Sequence, residues 1–149
     1  MSDHYRKLEN AYLLAPINAF YKPSISVGEA KATISIALRQ ELWHAAFAVH
    51  GSVYFKMLDD AAFFAANSLV EDRFVLTASF NIYLTRPVAE GTIRSEGTVT
   101  SRSRRLILAE ARLFDDQDRE IGRGSGSFMP SRIPLGPDIG YRLSSEGDA

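Results

Sequence analysis

Between His50 and Ser68 the chain reads HGSVYFKMLDDAAFFAANS. The run predicts one long helix that is apolar on nearly every face, and a helix of that kind is buried. It nevertheless carries Asp59 and Asp60 near its middle. A carboxylate inside a buried helix must be paired, solvated by a cavity or kept for a task. The helix opens on His50 and Gly51, and an N-terminus entered through glycine offers unpaired backbone N–H groups to an anion or a carbonyl oxygen. A helix end that polarises an electrophile and a carboxylate two turns later are the parts of a hydrolytic site. Asp60 lies about 100° further round the helix and is the i, i+4 partner of Lys56, so it reads as structural. Asp59 has the weaker i, i+3 spacing to Lys56, and the burial pattern favours it as the working carboxylate.

The elements that must position these residues are legible as patterns. Residues 2–14 predict a short amphipathic helix that stops at Pro16, and 16–29 read as a connection. Over 30–42 apolar and polar residues alternate, which predicts a half-buried strand. The loop 43–49 leads into the long helix. Four more strands are expected at 74–84, 91–100, 104–114 and 119–129, the first with Leu76, Ala78, Phe80, Ile82 and Leu84 on its apolar face. Short turns between them suggest antiparallel neighbours. Gly122, Gly124 and Gly126 share one face of the last strand, so something large lies against it, such as the helix. The tail from Pro130 reads as an extended or frayed arm. The expectation is a single α+β domain with a core at about 30–129, one sheet wrapped around one central helix, and a free face or edge for water or a second subunit.

With 149 residues, 46% of them hydrophobic, the chain can bury a full core. A formal net charge of −1 gives no reason to expect nucleic acid. There are no cysteines, which excludes disulfides, a thiol nucleophile and thiolate metal sites. Histidine stands only at positions 4, 44 and 50, without the spacing of a metal motif, so no metal is expected. The opening MSDHYRKLENAYLL lacks the apolar run of a signal peptide, and no stretch is apolar enough to span a bilayer; a cytoplasmic protein without a membrane partner is expected. With no GxSxG and no glycine-rich phosphate loop, a serine triad is disfavoured.

This strand and helix order, with HG opening the helix, resembles the hotdog fold, and more narrowly the PaaI-like acyl-CoA thioesterases of that superfamily. The resemblance covers roughly residues 30–129. It rests on His50-Gly51-Ser52, on Asp59 eight positions after Gly51, on the stretch AAFFAANS at 61–68, on a strand 74–87 that ends in Pro and carries Thr77, and on the closing SRSRRLILAEARLFDDQDREIGRGSGSF. Ser52 stands where the family usually has a second Gly, which a helix first turn tolerates. His44 stands where many relatives have an Asn.

The resemblance implies hydrolysis of an acyl-CoA by a homodimer or a dimer of dimers, with no cofactor beyond the CoA of the substrate. The Gly51 N–H would hold the thioester oxygen, and Asp59 would act across the interface as general base or nucleophile. Thr77 would position the Asp or the water, and His50 and His44 would complete the polar shell. Ser52 and Phe63 would contact substrate, and Arg102, Arg104 and Arg105 would meet the CoA phosphates. His50 can equally be a helix-flanking residue, and the arginines a solvated turn. Two other readings stay open: a hotdog dehydratase or hydratase, and a non-catalytic acyl-thioester-binding or interaction module.

Overall fold

The alternation of Ala32, Ile34 and Ile36 puts three nearly inaccessible side chains on one face of β2 (Lys31–Ala37). That face meets the long helix, α3 (Gly51–Asn67), in the computed structural model, which describes residues 2–144. The other strands are β1 (Ser24–Gly28), β3 (Arg73–Leu84), β4 (Thr92–Arg102), β5 (Ile107–Phe114) and β6 (Glu120–Pro134). They form one antiparallel sheet in the order β1-β2-β4-β5-β6-β3. The inward residues of β5, Ile107, Ala109, Ala111 and Leu113, are buried against α3, as are Ala61 and Ala62 of the helix. Strand β4 comes closest. A Cβ on Gly97 would stand 2.2 Å from the Ala61 carbonyl oxygen, so helix and strand touch backbone to backbone there.

The expected fold class is present, with four differences. The segment 16–29 is no simple connection: it holds a short helix, α2 (Pro16–Tyr21), and the edge strand β1. Pro16 is the first helical residue, where its missing N–H removes no bond. The strand expected over 30–42 ends at Ala37, and a 3-10 turn occupies Gln40–Leu42. Strands β3 and β4 follow one another in sequence but are not neighbours. The 85–91 connection carries the chain past the start of α3, held by Val49 N to Val88 O (2.9 Å), Trp43 Nε1 to Ala89 O (2.8 Å) and the Tyr54 hydroxyl to Arg86 O (2.7 Å). β3 therefore pairs with β6 and forms a free edge.

The fourth difference is the tail. Residues 130–134 continue β6, and Pro137–Ile139 form a second 3-10 turn; of the tail, 145–149 lie outside the described residues. Gly140, at φ +82°, reverses the backbone at a conformation that L side chains rarely adopt. The returning segment then docks on α1 (Ser2–Leu14). The Tyr141 hydroxyl lies 2.7 Å from His4 Nδ1, and His4 Nε2 reaches the Asn67 carbonyl at the end of α3 (2.9 Å). Asn10 adds a bond to the Arg142 carbonyl (2.7 Å).

The glycine stripe of β6 is covered mainly by β3. The Phe80 ring lies within 2.6 Å of where Cβ atoms of Gly124 and Gly126 would stand, while Tyr54 and Leu58 of the helix approach only Gly122. Among the described residues no helix is long and apolar enough to cross a membrane, and no group of three His, Asp or Glu residues is placed to hold a metal ion.

Candidate active site

Asp59 stands in the wall of a cavity of about 880 Å³ shared with Phe63, Phe74, Leu76 and Thr77. The Thr77 hydroxyl donates to Asp59 Oδ1 at 2.9 Å. Oδ2 has no hydrogen-bond partner among the described residues, so one oxygen is held and the other is free. Burial pushes the carboxyl up to about 6; the Asp60 charge adds to this, while the Thr77 bond and Lys56 oppose it. A carboxylate that titrates near 6 is charged at neutral pH and is a stronger base than an ordinary one.

Simple alternation would not aim both Thr77 and Phe80 at α3. The register shifts between Thr77, paired with Phe128, and Ser79, paired with Ser127, so Ala78 is an extra residue in β3. This bulge switches the face of the strand. Before it, Val75 is buried and Thr77 reaches Asp59; after it, Phe80 meets Phe55 of α3 (ring centroids 5.7 Å apart) and Leu84 approaches Gly51. The single apolar face expected from Leu76 to Leu84 is thus split, and Leu76 is 48% exposed at the cavity.

Asp60 is paired, as its spacing suggests. It accepts from Lys56 and from the Tyr12 hydroxyl (2.7 Å), and the Lys56 ammonium sits 5.0 Å and 4.9 Å from the ring centres of Tyr12 and Tyr21. Burial, and then the Asp60 charge, hold the Tyr12 hydroxyl protonated far above the usual phenol range, so it remains a donor.

A second polar group forms at the start of α3. His50 is the N-cap: its Nδ1 accepts from the Ser52 N–H (3.0 Å) and lies 2.8 Å from the Ser52 hydroxyl. The Val53 N–H bonds the His50 carbonyl. The Gly51 N–H has no partner among the described residues and is the open donor of this turn. His44 is exposed in the preceding loop, where its Nδ1 accepts from the Ala46 N–H (3.0 Å).

The structure brings Asp59, Thr77 and Phe63 together, and separately His50, Gly51 and Ser52. It does not join the two groups within one protomer, since eight residues along a helix separate Gly51 from Asp59 by about 12 Å. Arg102 is exposed and one of its nitrogens is already engaged. It donates to the Leu69 carbonyl (3.1 Å) just beyond α3, at the helix end opposite Gly51, because a helix C-terminus leaves carbonyls to satisfy. Arg104 and Arg105 are exposed on the same turn and lie outside the cavity. Sequence reasoning missed the cavity walls supplied by Tyr12, Leu14, Ile17 and Ile133. The available signal was the apolar excess of α1, whose Leu13 and Leu14 fall outside the stripe Leu8-Ala11-Tyr12 that is buried.

Because the Thr77 bond stabilises the charged form of Asp59, Thr77→Val should raise the pH at which the carboxylate forms. The acid limb of the activity profile is expected to move from about 6 toward 7, a bond to a charged group being worth about 1.5 kcal/mol. A kcat/KM profile from pH 4.5 to 9 checks this; an unmoved limb would remove Thr77 from the site.

A six-stranded antiparallel sheet wrapped on one long central helix defines a hotdog fold. The Escherichia coli PaaI protein from the phenylacetic acid degradation operon superposes with a TM-score of 0.81 over 89% of this chain and 96% of its own, at 16% identity. A Haemophilus influenzae thioesterase gives a TM-score of 0.74 over 80% and 85%, at 15% identity. Identities this low speak for the fold alone. The thioesterase superfamily model matches residues 48–121, from just before His50 into β6, and the chain belongs to that superfamily. A candidate esterase of Saccharolobus solfataricus is 26% identical over 84 residues, a match that spans 56% of this chain and 56% of that relative, little more than half its length. Membership supports hydrolysis of a thioester as the general class of chemistry.

Proposed function

We propose that the protein hydrolyses acyl-CoA thioesters at a site shared by two copies of the chain. The observation that carries this reading is the Asp59 carboxylate, pinned by Thr77 through one oxygen and bare at the other, in the wall of an apolar cavity. Asp59 takes a proton from water as the water oxygen bonds to the thioester carbonyl carbon. The C–S bond then breaks, and the thiolate leaves with that proton, giving free acid and thiol. The Gly51 N–H of the second copy, at the positive end of its α3, stabilises the oxyanion.

Two features favour a second copy as the source of that donor. The edge of β3 is unpaired, and pairing it antiparallel with its own copy lays two α3 helices side by side in opposite directions. The N-terminus of each then approaches the middle of the other. Phe55 (40% exposed) and Leu84 (49%) form an apolar surface on that side. His50 holds the first helical turn in shape. Arg104 and Arg105 remain available to CoA phosphates.

Acyl-CoA mixed with the protein and a thiol reagent should release free thiol; a change in enoyl absorbance without thiol release would point to a hydratase. The shared site is tested by mixing two inactive variants, Asp59→Asn and Gly51→Trp. After subunit exchange, heterodimers should keep one intact site, restoring about a quarter of parental activity in an equal mixture. No recovery after verified exchange would place both groups within one chain.

A further inference from the structure

The cavity beside Asp59 is built largely from parts of the chain outside the family-matched segment 48–121. Its roof is the α1–α2 bend, with Tyr12, Leu14, Ala15 and Ile17; its end is Ile133 and the Pro137–Gly140 turn. The roof is fastened rather than loose. Asn18 Nδ2 donates to the Tyr12 carbonyl (2.7 Å), Tyr12 bonds Asp60, and His4 and Asn10 tie α1 to the returning C-terminal segment. Around the cavity Leu14 (55%), Ile17 (57%), Leu76 (48%) and Ile133 (41%) are exposed, an apolar rim of a kind that soluble surfaces rarely keep without a ligand or partner. On the α3 wall its charges stand together: Asp59 is the free carboxylate, while Lys56 and Asp60 pair with each other; Asp138 and Arg142 are the other charged lining groups. About 880 Å³ is far more room than an acetyl group can use.

Resting on the hydrolytic reading above, we propose that this cavity holds the acyl part of the substrate. It thereby makes the α1–α2 roof the determinant of specificity for medium and long apolar acyl chains over short ones. The thioester lies at Asp59 and the chain runs along Phe63 and Phe74 beneath the roof. Length is then read inside one protomer, by elements distinct from the ones that do the chemistry.

A series of saturated acyl-CoAs from acetyl to dodecanoyl tests this. For the parent protein kcat/KM should rise by about fourfold per added methylene over several steps, the value of burying each one. Ala15 has an extended backbone that admits any side chain, and Ala15→Trp should fill the space. The decanoyl-to-acetyl ratio of kcat/KM should then fall by roughly tenfold or more. Phe74→Ala, which enlarges the cavity, should move the preferred length upward and guards against a folding defect in the first variant. Binding of free decanoate, measured by calorimetry, gives a readout that needs no turnover, and Ala15→Trp should weaken it by roughly tenfold as well. A parent profile flat with chain length, or ratios unchanged in both variants, would overturn the proposal. Decanoate binding that Ala15→Trp weakens to this extent, in a protein that hydrolyses no acyl-CoA, would uphold the cavity assignment and overturn the hydrolytic reading.

Discussion

Asp59→Asn is expected to lower kcat by about a thousandfold or more, since Asn nearly conserves the volume but cannot take a proton. The Thr77 hydroxyl can still donate to the amide oxygen, so the local structure has no reason to change. The variant should also be no less stable than the parent at neutral pH. The sign follows from the raised pKa: a carboxyl at about 6 in the folded protein, against an ordinary 3.8, binds its proton more tightly folded than unfolded. The charged form therefore costs stability above pH 6, the cost declines as pH falls from there toward 4, and Asn never incurs it. Stopped assays of thiol release, with thermal melts at pH 7 and pH 5, check both halves. A kcat within tenfold of the parent would remove Asp59 from the chemistry.

The largest stability effect is expected at Gly97. Its missing side chain lets β4 lie against α3, and an added methyl would meet the Ala61 carbonyl at 2.2 Å and the Ala62 nitrogen at 2.7 Å. Both are backbone atoms, so no rotamer change relieves the contact; the helix must move. Gly97→Ala should cost about 3 kcal/mol or more and lower Tm by roughly 10 °C. Because Asp59 precedes Ala61 by only two residues, displacement of the helix there also disturbs the Thr77 bond. Thermal unfolding followed by circular dichroism is the test. A Tm within a few degrees of the parent would mean that the helix-strand contact is soft.

What could be read from the sequence follows from how local each signal is. The long helix was legible because burial on every side is written in its composition, and its glycine entrance and Asp59 lie on the same continuous segment. Strand β2 was legible because Ala32, Ile34 and Ile36 alternate without interruption. The pairing of β3 with β6 was not, since the partners meet only after β4 and β5 have formed between them in sequence. The Ala78 bulge was hidden for a related reason: one extra residue changes the face of a strand without changing its composition, so alternation alone leaves Thr77 on the same face as Ser79 and Asn81. The cavity was the least legible feature. Its roof and end come from opposite ends of the chain, in segments that looked like a connection and an arm, and only the docked fold reveals that Ile17 and Ile133 share a space with Asp59.

The unpaired edge of β3 has a consequence for handling the protein in solution. From Phe74 to Leu84 the strand contains no charge, no proline and no glycine, so of the devices by which edge strands discourage indiscriminate pairing it keeps the Ala78 bulge but no charge or proline. Its residues are rich in aromatic and β-branched types, the composition of segments that stack into fibrillar sheets. Whatever covers this edge therefore acts as a chaperone for it. If a second copy covers it, as proposed above, dilution or a substitution that separates the two copies exposes a template for aggregation. The lower limit of usable protein concentration is then set by this one strand rather than by the stability of the core.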